Sequence, residues 1–253
     1  MKSGLIKKVL SLACVCAFVG GVAAAKDKEK SKQPGAQVVD SGSFGVFSSG
    51  TRVATETFSI EQSATGSRIS SQFKSTQGEQ VADQTSEIVL TPSAELRSYQ
   101  WKESAPEKMT ASVAPNDTFL VETFTNGSDN KPHDQNFLLP ASTTILDDYF
   151  FVHREVLAWK YLASACKQVR GTPNCPLHQK VQFGALNPHA RTSMSVAIEF
   201  AGLDKISIRG SEVELSKFVL SSEMGDWVFW LDGNNHFKLV RLLNDGGTEV
   251  VRD

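Results

Sequence analysis

The chain has few cysteines, and it lacks the catalytic motifs that are easiest to recognise. Two of its four cysteines, Cys14 and Cys16, lie near the start, which leaves only Cys166 and Cys175 in the rest of the sequence. No Cys-x-x-Cys pair occurs, which excludes a thioredoxin-like redox site. Gly-x-Ser-x-Gly, a phosphate-binding glycine loop and His-Glu-x-x-His are also missing. The sequence therefore offers no motif of a serine hydrolase, a nucleotide-binding protein or a zinc protease.

Long apolar runs and an excess of basic residues are missing too. Beyond the first 25 residues, no apolar run reaches the roughly 20 residues that a membrane-spanning helix needs. The chain has 26 basic and 28 acidic residues; without the three lysines of the first 25 residues, the balance is 23 against 28, a net charge of −5. We therefore predict no nucleic-acid partner and, at most, peripheral contact with a membrane.

The first 25 residues have the order of a secretory signal peptide. Three lysines precede an apolar run, Val9 to Val22, which ends in Ala23-Ala24-Ala25. This order predicts cleavage near Ala25 and an exported protein, periplasmic or extracellular. An uncleaved anchor is the weaker alternative because the run is short, and Leu12-Ala13-Cys14, which loosely resembles a lipoprotein cleavage box, leaves lipidation open. The mixed-charge segment 26–41 is predicted to be a flexible leader.

The remaining chain, 42–253, is predicted to be a single β-rich domain. Short segments rich in β-branched and aromatic residues alternate with turn residues, which is typical of an antiparallel meander. Strands are expected near 43–49, 52–62, 66–75, 79–90, 94–103, 108–114, 117–125, 179–184, 190–200, 204–209 and 212–221. A final hairpin, 226–232 and 236–242, flanks the turn Gly233-Asn-Asn235. The predicted fold class is mainly β, a strongly curved antiparallel meander that forms a half-barrel or open barrel.

One segment, near 143–165, has helical rather than strand periodicity. Its apolar residues recur at intervals of three and four, and Thr144 with Asp147 resembles a capping box at its start. Two apolar stripes give this helix a broad apolar face. We therefore expect it to cover or plug an end of the sheet.

Cys166 and Cys175 are interpreted as a disulfide. With His178 and His153 they would supply thiolate and imidazole ligands for zinc. However, eight residues separate the cysteines, whereas zinc sites usually place them two to four apart. In an exported chain, two cysteines on either side of a turn favour a disulfide, which would stabilise the fold by about 2 to 3 kcal/mol.

Three further groups of residues resemble catalytic motifs, but none of them completes the motif. His153 and the glutamate two residues later match half of the zinc deaminase signature, but the Pro-Cys-x-x-Cys half is missing. Asp147 and Asp148 are adjacent in the predicted helix, so their side chains diverge by about 100°. Ser71 and Lys74 match Ser-x-x-Lys, yet in a strand they point to opposite faces. We predict no catalytic residue, no metal ligand and no cofactor.

Aromatic residues are concentrated in elements that are expected to meet. They form either an ordinary core or the lining of a cavity for an apolar ligand. The candidate lining residues are Trp101, Phe119, Phe150, Trp159, Phe229 and Trp230.

Three motifs carry a resemblance to a known family: Leu146-Asp-Asp-Tyr-Phe150, Trp227-Val-Phe-Trp-Leu-Asp232 and Lys238-Leu-Val-Arg241. The chain resembles a family of exported bacterial β-rich proteins of unknown function. Such proteins are similar to strongly curved sheets or half-barrels, the architecture of lipoprotein carriers that hold acyl chains on a concave face. The resemblance transfers no catalytic residue.

Three functional hypotheses follow. The first is a non-enzymatic envelope protein that binds a lipid or another apolar molecule in the curved sheet. The second is a structural or assembly protein that pairs with an envelope partner through an exposed strand edge. The third is a hydrolase with an unrecognised site.

Overall fold

The computed structural model describes residues 35–75, 81–125, 127, 131–169, 172–223 and 225–253. The predicted signal peptide and the first part of the predicted leader lie outside these residues. The first strand already begins at Gln37, so the end of the predicted leader belongs to the sheet. In the part of the chain that the structure describes, no helix is both long and apolar enough to cross a membrane.

Among the described residues, eight strands form the first half of the chain, and each pairs in antiparallel orientation with the next. They are β1 Gln37–Ser48, β2 Thr51–Ser63, β3 Gly66–Ser75, β4 Asp83–Leu90, β5 Leu96–Ala105, β6 Met109–Asn116, β7 Phe119–Thr125 and β8 Pro132–Phe137. Buried and exposed residues alternate along most of them, as in Thr55 to Ile60 of β2. One face of this half therefore lines the core and the other faces solvent.

The second half contains the helix and nine strands. They are β9 Thr144–Ile145, α1 Val152–Ala165, β10 Lys167–Val169, β11 Thr172–Asn174, β12 Val181–Asn187, β13 Thr192–Ile208, β14 Ser211–Ser222, β15 Gly225–Asp232, β16 Lys238–Asn244 and β17 Thr248–Arg252. The two strands predicted at 190–200 and 204–209 are one strand, β13. Gly202, with φ of +110°, absorbs a register shift next to Phe200, so the glycine makes a β-bulge there and not a turn.

The predicted open half-barrel is confirmed. Fifteen strands form one sheet in the order β8-β7-β6-β5-β4-β3-β2-β1-β17-β16-β15-β14-β13-β12-β9, and β10 with β11 forms a separate hairpin. Neighbouring strands are antiparallel except for β9, which pairs with β12 in parallel. The sheet does not close, because β8 and β9 are its two edges. The two halves of the meander meet where β1 pairs with β17.

The helix α1 packs against the buried face of the sheet, and its broad apolar face is buried there. Leu157, Ala158 and Tyr161 are fully buried, and they belong to one core cluster with residues from both halves of the sheet, such as Phe44 and Phe218. The side chain of Tyr161 meets Phe218 edge to face, with ring centroids 5.8 Å apart. Apolar burial between α1 and the sheet therefore contributes to the stability of the fold.

The helix begins later than the periodicity predicted. Thr144 and Ile145 pair with β12 as the short strand β9, and α1 begins only at Val152. The predicted capping box does not form, because the Asp147 carboxylate accepts the backbone N–H of Tyr149, 3.0 Å away. The pairing with β12 is a tertiary contact that local periodicity cannot show.

Cys166 and Cys175 form a disulfide, as predicted. It closes the hairpin of β10 and β11 directly at the end of α1. His178 lies outside this group: its imidazole is 69 % exposed, and Nδ1 is 3.8 Å from the Glu199 carboxylate. The described residues include no group of three or more His, Cys, Asp or Glu side chains arranged to hold a metal ion.

Candidate functional site

An apolar cavity lies between the C-terminal half of α1 and the inner face of β2, β3 and β4. Its volume is about 380 Å³, which falls within the range of roughly 300 to 1,000 Å³ of small-molecule sites. Its apolar walls include Ile60, Ile69 and Ile88 from the sheet and Val156 and Trp159 from the helix. We call it the inner cavity.

Small side chains explain why this space stays open. Ser67 on β3, Ala94 in the turn before β5, and Ala163 and Ser164 on α1 all line the inner cavity. Large residues at these places would fill the gap between helix and sheet, as they do in the rest of the core. The gap therefore opens on the side of α1 that carries Ala163 and Ser164, while Tyr161 on the same half of the helix stays buried.

A second, wider cavity lies on the other side of Trp159. Its volume is about 780 Å³, and its lining includes Val38 and Val39 of β1, Leu162 of α1 and Phe237. We call it the outer cavity. Trp159 lines both cavities, and its indole N–H donates to the backbone oxygen of Phe237 at 2.9 Å. This hydrogen bond holds the ring as a partition between the two spaces.

Of the six aromatic residues proposed to line a ligand site, Trp159 is the one that lines these two cavities. Phe150 and Phe229 are fully buried in the core. The side chain of Trp101 donates to Gln84 at 3.1 Å, beside the His189 ring. Phe119 is half-buried on β7, next to the fully buried Leu120.

Trp230 lies on the opposite face of the sheet from Phe229. Its indole N–H donates to Asp204 at 3.1 Å, and the cationic groups of Lys217 and Arg241 lie over its ring at 5.9 and 5.4 Å. Adjacent residues of a strand point to opposite faces. Phe229 and Trp230 therefore cannot line one cavity together.

The other end of α1 is polar, and Glu56 of β2 caps it. The Glu56 carboxylate accepts the backbone N–H of Phe151 at 2.7 Å and that of Val152 at 3.3 Å, and it accepts the Ser71 hydroxyl at 2.6 Å. Burial raises its pKa from 4.5 to about 7, against the opposing effect of these hydrogen bonds. An anionic group at this position is stabilised by the helix dipole and satisfies two free N–H groups.

His153 and Ser86 lie together in the core, but they do not form a nucleophile and base. The backbone N–H of Asp147 donates to Nδ1 of His153 at 3.3 Å, so Nδ1 carries no proton. The proton is then on Nε2, which donates to the Ser86 hydroxyl at 3.4 Å. Burial lowers the His153 pKa to about 3, so the ring stays neutral. A base must accept the serine proton, and this imidazole nitrogen already carries one.

Glu122 of β7 is a buried carboxyl that has no hydrogen-bond partner in the described part of the chain. Both of its oxygens are buried and unpaired. Burial raises its pKa from 4.5 to about 8, although Arg191 favours the charged form. The Arg191 guanidinium lies 4.5 Å from the Phe124 ring, two residues further along β7. Arg191, between β12 and β13, thus lies near this part of β7 without holding Glu122 in its charged form.

A third set of charged residues lies below the middle of α1. The Asp40 carboxylate forms ion pairs with Arg252 and with Lys238, the latter at 3.2 Å. Burial opposes the charge of Asp40, but hydrogen bonds from Arg252 lower its pKa. Burial and the neighbouring Asp40 raise the pKa of Glu155 well above its ordinary value. Glu155 is therefore the protonated partner of a carboxyl pair, a structural arrangement with no access for a substrate.

The sequence predictions missed all of these buried acids, and one signal for them was present. Glu56 is on the same face of β2 as Phe58 and Ile60, and Glu122 is on the same face of β7 as Leu120. Strand alternation therefore indicates that both are buried. The inner and outer cavities gave no such signal, because they depend on how α1 meets the sheet.

Comparison with known proteins finds no relative of this chain. No family model, no curated protein and no solved structure matches the chain. The resemblance to exported bacterial β-rich proteins therefore stays a prediction.

Proposed function

We propose that the protein is exported and, without catalysing a reaction, binds a lipid or another apolar molecule in the inner cavity. The observation that carries the proposal is a cavity of about 380 Å³ whose walls are mainly aliphatic and aromatic, between α1 and the sheet. Burying apolar ligand surface there would contribute roughly 25 cal/mol per Å² before the entropic cost of binding.

The contrast between the two ends of α1 supports binding over catalysis. The polar end is filled by side chains that bond to each other, such as Tyr99 and Asp147 at 2.9 Å. The apolar end is open, and Trp159 lines both of its cavities, with Phe183 in the wall of the inner cavity and Phe237 in that of the outer one. A carrier needs the second kind of space, whereas an enzyme needs reactive groups that reach a substrate.

A neutral apolar dye tests the proposal. Purified protein is examined by native mass spectrometry for a co-purified ligand and is then titrated with N-phenyl-1-naphthylamine. We expect the substitution Ala163→Trp, at a residue that lines both cavities, to weaken dye binding by about tenfold or more, a loss of about 1.4 kcal/mol.

A matched control separates the cavity from general surface apolarity. Leu138→Trp adds a similar ring at a residue that is 87 % exposed, and it should leave dye binding unchanged. Equal binding by the native chain and the Ala163→Trp variant would refute binding in this cavity. No co-purified ligand together with no dye binding would refute the proposed function.

A second candidate is an assembly protein that pairs through its strand edge. The observation in its favour is the open sheet, of which β8 is one edge. Against it, β8 begins at Pro132 and carries the exposed Asp134, and both features protect an edge from pairing. Loss of a specific envelope partner on Leu138→Asp, with dye binding unchanged, would favour this candidate.

A further inference from the structure

Lys160 and Thr143 form a polar corner of the inner cavity, whose lining also includes Gln62 and several serine side chains. Lys160 is on α1, and its ammonium donates a hydrogen bond to the backbone oxygen of Ser142. Thr143, the next residue along the chain, precedes β9. Both Lys160 and Thr143 line the inner cavity, so two hydrogen-bond donors lie together in an otherwise mainly apolar wall.

Lys160 is a half-buried cation without an ion pair in the part of the chain that the structure describes. Burial lowers its pKa, and Glu95 opposes this only at longer range. Its ammonium lies 5.8 Å from the centre of the Phe183 ring, which is also in the cavity wall. An ammonium has three N–H donors, so donors remain for a ligand.

Thr143 supplies an independent observation. The residue is 3 % exposed, and its hydroxyl has no hydrogen-bond partner among the described residues. Buried hydroxyl groups are nearly always hydrogen-bonded, because an unpaired one costs free energy. The unpaired hydroxyl lines the same cavity as the Lys160 ammonium, which keeps free N–H donors beside its bond to Ser142, so an acceptor group bound in this corner can accept from both.

We infer that the inner cavity takes a single-chain anionic amphiphile, with its acidic head group on Lys160 and Thr143 and its chain along Ile69, Ile88 and Trp159. The inference rests on the proposed function and names its ligand class. A carboxylate or a phosphate has the acceptor oxygens that this corner lacks. The volume of about 380 Å³ is near the lower end of small-molecule sites and suits one chain.

Two probes with the same chain and different heads test the inference: oleate and oleyl alcohol, each below the concentration at which it aggregates. Charge-assisted hydrogen bonds are about twice as strong as neutral ones, so we expect oleate to bind about tenfold more tightly than the alcohol. Lys160→Met should remove this preference by weakening oleate alone. Thr143→Val, of similar shape, should reduce it by a smaller factor.

The controls keep the two proposals distinguishable. Lys102→Met removes an exposed lysine of β5, outside the cavity, and should leave both affinities unchanged. Equal binding of oleate and oleyl alcohol, unaffected by Lys160→Met, would overturn the head-group assignment and leave the proposed function standing. Failure of both probes to bind would overturn both. Oleoyl lysophosphatidate, compared with oleate, then tells whether phosphate or carboxylate is the preferred anionic head.

Discussion

Replacement of Glu122 should remove a loss of stability that the native chain shows as the pH rises. The carboxyl is buried with no hydrogen-bond partner among the residues that the structure describes, and its pKa is raised from 4.5 to about 8, mainly by burial. A raised pKa means that the folded state holds the proton more tightly than the unfolded state. The resulting stabilisation is complete below pH 4.5 and is lost as the pH rises through 8.

The magnitude follows from this difference in pKa. Between pH 5 and pH 8 the native chain would lose about 3 kcal/mol of unfolding free energy, at 1.36 kcal/mol per pKa unit. Relaxation of the protein and entry of water reduce the cost of a buried charge, so we expect about 2 kcal/mol. Glu122→Gln removes the titration, and Glu122→Met also removes the polar atoms. The unfolding free energy of each variant, measured relative to the native chain, should therefore be about 2 kcal/mol higher at pH 8 than at pH 5.

Urea unfolding followed by tryptophan fluorescence at the two pH values measures the effect. With a slope of about 2 kcal/mol per molar urea, the midpoint difference between variant and native chain should grow by roughly 1 M from pH 5 to pH 8. Glu212→Gln, at an exposed residue of β14, should show no such growth. If the difference between Glu122→Gln and the native chain is equal at both pH values, the buried-acid reasoning is wrong.

Four further predictions follow from the same contacts. Glu56→Ala removes the acceptor of the α1 N-terminus and should lower the unfolding free energy by about 2 kcal/mol; a cost no larger than that of Glu212→Ala would contradict the cap. Arg252→Met leaves the Asp40 carboxylate poorly paired and should cost about 3 kcal/mol in urea unfolding, unlike Arg97→Met at an exposed site. Replacing Cys166 and Cys175 by serine should cost about 2 to 3 kcal/mol; two free thiols in the denatured, unreduced native chain would disprove the disulfide. Intact mass of the protein recovered after export should show cleavage near Ala25, and a mass that retains the first 25 residues would refute the predicted signal peptide.

Most strands of the sheet were predictable because they are local patterns, although β8 and β17 were not predicted. The alternation around Phe58 and Ile60 predicts both the strand and its buried face. It also places Glu56 on that face, but the role of Glu56 as a helix cap depends on Phe151, 95 residues away. Long-range partners of this kind have no signature in one strand.

The helix and the ligand lining show two different reasons for error. The start of α1 was placed too early because residues near Leu146 have apolar spacing that also fits a helix, while their actual partner is the backbone of Leu186. The inclusion of both Phe229 and Trp230 in one lining contradicts strand geometry, which assigns neighbours to opposite faces. The first error could be found only from the tertiary structure, and the second could have been avoided from sequence alone.

The pairing of β1 with β17 has a consequence for how the chain reaches its native state. Asp40 and Arg252, which bond across this junction, are 212 residues apart in the sequence. The hairpins on either side can form as they are synthesised, but the continuous sheet waits for one of its last segments, and such distant contacts slow folding. Until then β1 and β16 each present an unpaired edge. We expect removal of residues 248–253 to leave two half-sheets that aggregate, and a soluble, cooperatively folding truncated chain would contradict this order of assembly.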